Sequence, residues 1–165
     1  MLLLPILLPV IGGIFVFRQT NEQVRNRWML TLFALTALCV LGVCVSPEQT
    51  VDLMTIEGSL RLCLRNDGLA KFFMVLTVCI WIPVSVFSLP YLRHTGGERQ
   101  FEGIYTITLG ILMGLAQAHN FITMYMFFEM MSLITMPLVL HNAVPAARRA
   151  GFKYLGYSVF GAGMA

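Results

Sequence analysis

Between Glu102 and Arg148 the chain carries one formally charged residue, Glu129, set in the apolar run Phe121-Ile-Thr-Met-Tyr-Met-Phe-Phe-Glu-Met-Met-Ser-Leu-Ile-Thr-Met-Pro-Leu-Val-Leu140. This uncharged stretch constrains the fold more than any motif does. As a single helix rising ~1.5 Å per residue, residues 103–140 would reach roughly 57 Å, nearly twice a ~30 Å hydrocarbon core. The stretch must fold back on itself, and Gln117-Ala-His-Asn120 is its only polar interruption. Two spans are therefore predicted, at about 103–118 and 121–140, with Asn120 as the cap of the second.

The same reading applies upstream. Residues 1–17 are apolar from the start, with no basic stretch and no small-residue cleavage pattern before Arg18, and read as a retained first span. The second span, about 28–46, opens on Trp28 and stops before Pro47, which cannot continue a helix. The third, about 68–92, has Asp67 or Asn66 as its cap and a belt of Trp81 and Tyr91. A sixth is expected over 147–165. With 58% hydrophobic residues, only 12% charged and a mean hydropathy of +0.78, the chain is far from the ~25% charge of a soluble domain. The expectation is an all-α integral membrane protein of about six transmembrane helices, forming one membrane domain over residues 1–165.

The basic residues alternate between the loops. Arg18, Arg25 and Arg27 lie between spans one and two, Arg93 and Arg99 between three and four, and Arg148 and Arg149 between five and six. On the opposite side Arg61 and Arg65 are offset by Glu48, Asp52, Glu57 and Asp67. The positive-inside rule then puts the N-terminus outside and the odd-numbered loops in the cytoplasm. Between spans two and three, partial alternation (Val51, Leu53; Leu60, Leu62, Leu64) around Glu57-Gly-Ser59 predicts a small extracytoplasmic β-hairpin. The competing reading is an amphipathic interfacial segment.

A carboxylate mid-bilayer costs at least ~2.5–3.5 kcal/mol on insertion scales, so intramembrane acids mark ion or proton paths more often than not. The bland alternative is a hydrogen-bonded acid that only packs helices. Tyr125 and Ser132 share a helix face with Glu129 and are candidates to hold its carboxyl or pass it a proton. A group whose charge depends on a neighbouring cation is what a coupled relay needs. Lys153, about one turn beyond Arg149, is either such a cation or a lysine snorkelling to the interface. His119 and His141 stand at the two ends of span five as candidate proton uptake or release groups, or as hydrated interfacial side chains.

Pro137 frees the carbonyl of Leu133 from its helical partner, and Pro83 does the same in span three. Each is a kink that admits water or a plain packing kink. Cys39, Cys44, Cys63 and Cys79 show neither metal-ligand nor redox spacing, so no metal, disulfide or cofactor is expected. Basic residues confined to loops leave no nucleic-acid surface. The lipid bilayer, H+ or Na+ and other membrane subunits are the expected partners.

Asn120-Phe-Ile-Thr-Met-Tyr-Met-Phe-Phe-Glu-Met-Met-Ser-Leu-Ile-Thr-Met-Pro-Leu-Val-Leu-His141 resembles span five of the antiporter-like family. That family comprises the proton-pumping membrane subunits of respiratory complex I, the large membrane subunits of Mrp-type Na+/H+ antiporters, and their counterparts in membrane-bound hydrogenases. Asp67-Gly-Leu-Ala-Lys-Phe-Phe73 resembles the start of its span three, and Arg148-Arg-Ala-Gly-Phe-Lys-Tyr-Leu-Gly-Tyr157 its approach to span six. The resemblance implies that Glu129 corresponds to the family's span-five glutamate and Lys153 to a lysine at the start of span six. It implies proton or Na+ translocation within a multi-subunit complex of a prokaryotic cytoplasmic membrane. Any redox chemistry would belong to other subunits. Family members carry about fourteen spans in two inverted repeats, so 165 residues correspond to an N-terminal portion. The alternative is a non-conducting subunit or remnant that scaffolds a larger complex.

Overall fold

A computed structural model describes residues 1–56, 60–92 and 98–140, together with Gly151, Lys153, Gly156, Tyr157, Phe160 and Gly161. The order of elements is α1 (Leu4–Arg18), α2 (Glu22–Val45), β1 (Thr50–Ile56), β2 (Leu60–Arg65), α3 (Gly68–Leu92), α4 (Glu98–Ala116) and α5 (Phe121–Leu140). The six separate residues beyond α5 are all helical. The rest of the expected sixth span, with Arg148 and Arg149, lies outside the described residues, as do the Glu57-Gly-Ser59 turn and Arg93.

Local signals account for most of the boundaries. Asp67 Oδ1 accepts from the Ala70 amide at 2.9 Å and starts α3, whereas Asn66, the other candidate cap, has a different task. Its buried amide donates to Ser46 Oγ and to the Pro47 carbonyl, both at 3.0 Å, and ties the end of α2 to the start of α3. Lys71 Nζ donates to the Ser46 carbonyl at 2.8 Å, placing a cation at the negative end of the α2 dipole. Asn120 Oδ1 accepts from the Thr123 amide at 2.8 Å and starts α5 at Phe121.

Two boundaries differ from the expected ones. Helix α2 begins at Glu22, not Trp28, because Asn21 Oδ1 accepts from the amides of Gln23 (3.0 Å) and Val24 (3.4 Å). Helix α4 begins at Glu98, five residues before the apolar run, and ends at Ala116. Both extensions carry charged side chains into helical structure, and one pair of them meets. Arg25 Nε donates to Glu102 Oε2 at 2.6 Å and Nη2 to Oε1 at 3.4 Å, with both residues buried. Arg25 is thus part of α2 and of the core, not a solvated loop residue.

Helices α1 to α4 close a ring: α1 packs on α2, α2 on α3, α3 on α4 and α4 back on α1, and α5 lies against α4. Glycines bring α1 and α4 together. A Cβ on Gly110 would stand 2.5 Å from the Ile6 carbonyl oxygen, and one on Gly13 would stand 2.5 Å from Ile107 Cγ1 and 3.0 Å from the Gly103 carbonyl oxygen. Small residues that allow backbones this close are how apolar helices associate where burial from water offers no drive. Between α3 and α4, Trp81 stacks on Tyr105 with ring centroids 4.6 Å apart. Its indole N–H donates to the Tyr105 carbonyl (3.3 Å), and the Tyr105 hydroxyl donates to the Trp81 carbonyl (3.2 Å). Trp81, expected in an interfacial belt, is therefore half-buried against α4.

The two strands pair antiparallel, from Thr50 opposite Arg65 to Ile56 opposite Leu60, with an irregularity between Asp52 and Met54. Strand β2 also holds the α4–α5 connection. The Arg65 amide donates to the Gln117 carbonyl (2.8 Å), the His119 amide donates to the Cys63 carbonyl (3.1 Å), and Leu64 bridges Ala118.

The outer surface is apolar. Leu38, Phe72, Phe87 and Phe121 are each 60% exposed or more, far beyond the scattered apolar residues a soluble surface tolerates. Two helical segments are long and apolar enough to cross a membrane, Glu22–Val45 and Gly68–Ser88. Leu4–Arg18 and Phe121–Pro137 are apolar but shorter.

The packing predicts two outcomes. Gly110→Val should destabilise the purified protein by about 1–3 kcal/mol through overpacking against α1, while Gly42→Ala, with open space around it, leaves the thermal midpoint unchanged or slightly raised. Arg25→Met alone should destabilise by about 3–5 kcal/mol because it strands the buried Glu102 carboxylate, whereas Arg25→Met with Glu102→Met should recover most of the loss. Detergent-phase melting of these variants measures both the loss and its recovery.

Candidate functional site

Because Asn120 starts α5 at Phe121, Glu129 falls on the ninth residue of a 20-residue helix, about 12 Å from its first residue at ~1.5 Å per residue. Helix α5 rests on its neighbours through buried Thr123 and Phe127; the Phe127 ring lies over Gly114 of α4. Glu129 is two residues beyond Phe127, about 200° around the helix at ~100° per residue, so its side chain leaves from the opposite side. The residue is half-buried, and its Oε1 is fully buried with no hydrogen-bond partner among the described residues. Two other side-chain oxygens share that condition, Asn26 Oδ1 and Gln117 Oε1. Glu129 is the only carboxylate of the three. A buried charged group left without a partner is far more expensive than a neutral one.

The expected helpers of Glu129 are placed as follows. Tyr125, one turn before it, is half-buried and lines a groove between α3 and α5. Ser132 Oγ donates to the Phe128 carbonyl of its own helix at 3.2 Å, so its proton is used on the backbone and not on the carboxyl. Lys153 is exposed and helical, and no ion pair joins it to Glu129. His141 lies outside the described residues. His119 is exposed in the α4–α5 connection, with its backbone amide on Cys63. Pro137 and Pro83 are both exposed, and α5 and α3 continue through them to Leu140 and Leu92. The cysteines are free thiols on separate elements: Cys39 and Cys44 half-buried in α2, Cys63 buried in β2 and Cys79 exposed on α3.

The structure brings together one charged pair that the loop-by-loop reading separates, Arg25 with Glu102. Asn21-Glu22-Gln23, a capping residue followed by an acid in the first turn, was the signal that helix α2 starts early enough to carry Arg25 inward. No local signal points to Glu102 as its partner, 77 residues away.

No protein-family model matches the chain. Individual relatives do. It is 22% identical over 165 residues to the D-type subunit of the Na+/H+ antiporter of Bacillus subtilis, a match covering 95% of this chain and 33% of that one. It is 23% identical over 148 residues to the chloroplastic NAD(P)H-quinone oxidoreductase subunit 5 of Citrus sinensis, covering 82% of this chain and 20% of the relative. Among solved structures, respiratory complex I from Thermus thermophilus superposes with a TM-score of 0.77 at 18% identity, over 98% of this chain and 33% of the matched one. An archaeal membrane-bound sulfane sulfur reductase superposes with a TM-score of 0.79 at 15% identity, over 97% and 34%. The chain thus spans only about a fifth to a third of the length of these relatives. Its homologues are the antiporter-like membrane subunits of Mrp-type antiporters and complex I, and the part they share with it is their N-terminal third.

Proposed function

We propose that this chain supplies the Glu129-bearing part of a proton- or Na+-translocating membrane subunit, working within a multi-subunit complex of a prokaryotic cytoplasmic membrane. The observation that carries this reading is the carboxyl of Glu129: mid-helix, half-buried, with Oε1 buried and unpartnered among the described residues. A carboxyl that only packed helices together would be expected to accept a hydrogen bond from its own neighbours. Ser132, the nearest hydroxyl one turn on, instead serves the backbone. An acid left unsatisfied in an apolar helix is suited to take up and release a cation or a proton as its partner changes. The partner, in this reading, comes from the segments equivalent to the remaining two thirds of the relatives, with Lys153 one turn inside the cytoplasmic boundary. Pro137 and Pro83 supply the backbone irregularities near the path, and Tyr125 and His141 continue the relay on either side of Glu129.

The arrangement in the membrane follows from the same reading: six spans, the N-terminus and the two-stranded sheet outside, and the α1–α2 and α3–α4 connections in the cytoplasm. The basic residues on those connections, Arg18, Arg27 and Arg99, are exposed and remain consistent with it after Arg25 is assigned to the core.

In the complete assembly, Glu129→Gln should lower ion translocation to below about a tenth of the parental rate, as loss of a proton-transferring group typically does, with assembly retained. Translocation at the parental rate in inverted vesicles would instead favour the scaffold reading. In a cysteine-free background, Thr20→Cys should react with a membrane-impermeant maleimide only from the cytoplasmic side. Labelling from outside would reverse the topology.

A further inference from the structure

A groove of about 610 Å³ runs along the outside of the bundle between α3 and α5, floored by the last turns of α4. Its walls are apolar, Phe73, Leu112, Leu115, Phe121 and Phe128 among them, and its rim at the sheet end carries two opposite charges, Arg65 and Asp67. From Asp67 to Thr77, the deepest residue contributed by α3, the helix rises about 15 Å, half of a ~30 Å hydrocarbon core. The groove therefore begins at a helix end, where charge is found, and stops one leaflet down. We propose that it holds one acyl chain of a phospholipid whose headgroup carries both a phosphate and a primary ammonium.

The rim matches such a headgroup in charge and in chemistry. The guanidinium of Arg65 is a bidentate phosphate donor. Its present partner is Glu48 at 3.0 Å, in a pair whose side chains are 39% and 56% exposed. An exposed pair of this kind contributes little, so turning Arg65 toward a phosphate loses little. Asp67 spends Oδ1 on the Ala70 amide, and an ionised carboxylate has further lone pairs for an ammonium. A headgroup with phosphate alone leaves Asp67 facing a like charge. A quaternary ammonium has no N–H to donate to it. This proposal rests on the membrane setting of the chain and not on Glu129, so its failure and that of the relay are read separately.

The test is native mass spectrometry of the full chain in mild detergent, offered equimolar phosphatidylethanolamine, phosphatidylglycerol and phosphatidylcholine. The parental protein should retain phosphatidylethanolamine about tenfold over the other two, the size expected for one charge-assisted hydrogen bond. Asp67→Asn still caps α3 and should abolish the preference over phosphatidylglycerol while leaving total lipid unchanged. Arg65→Gln should lower retention of all three. Thr77→Phe, which fills the deep end, should lower all three without changing their ratio. Equal retention of the three lipids, or a preference untouched by Arg65→Gln and Asp67→Asn, overturns the proposal. So does a protein that keeps no lipid because a helix of the assembled complex or a second copy of the chain covers the groove, which site-specific crosslinking from Phe73 in the intact complex would reveal.

Discussion

The close approach of α1 and α4 is the contact on which the other positions depend. In an apolar surround, helices gain little from hiding hydrocarbon and must instead gain from packing at short range. Gly13, Gly103 and Gly110 permit that range: the Ile6 carbonyl lies where a Cβ of residue 110 would begin. Closing α1 on α4 completes the ring of four helices and buries α4 along most of its length. Once α4 is fixed, α5 has one place to rest, with Phe127 over Gly114. That contact turns Glu129 to the other side of its helix.

The two ends of the bundle are held by different chemistry. At one end, the Arg25–Glu102 pair joins α2 to α4 within the core. A buried ion pair adds little net stability over an apolar pair, but it severely penalises any arrangement that separates its members. Its effect is to specify which helices meet and in what register. At the other end, hydrogen bonds to backbone and neutral side chains do the joining. Asn66 ties α2 to α3, Lys71 closes the carbonyl end of α2, and β2 pairs with the turn before α5. Thr123 lies at the centre of this set: its hydroxyl accepts from the Cys63 amide at 3.0 Å and bonds the side chain of Asn120. The start of α5, and with it the depth of Glu129, is thereby referenced to the sheet.

Glu129 and the α3–α5 groove lie on the part of the molecule that the bundle leaves open. Tyr125 belongs to both, lining the groove and standing one turn from the carboxyl. The core is otherwise well satisfied: Thr36, Thr106 and Thr108 each donate to a carbonyl four residues back. Against that background an unpartnered carboxylate oxygen is an exception, and exceptions to local satisfaction concentrate where a protein acts.

Helix identity was legible in the residues themselves. The caps Asp67 and Asn120, the long uncharged stretch that had to fold back, and the isolated acid within it all act over a few residues, and α3 and α5 begin where those signals put them. The Asn21 cap carried the same information for α2, but the apolar run starting at Trp28 obscured it. The partners of Arg25, Trp81 and Ser132 were decided only by the tertiary structure. Arg25 read as a loop charge because its counterion is 77 residues away. Trp81 read as an interfacial residue because the Tyr105 ring belongs to another helix. Composition and periodicity report how each segment meets its solvent. Which segments meet each other depends on glycine clearances, ring stacking and charge pairing across the bundle, and these exist only once the helices are assembled.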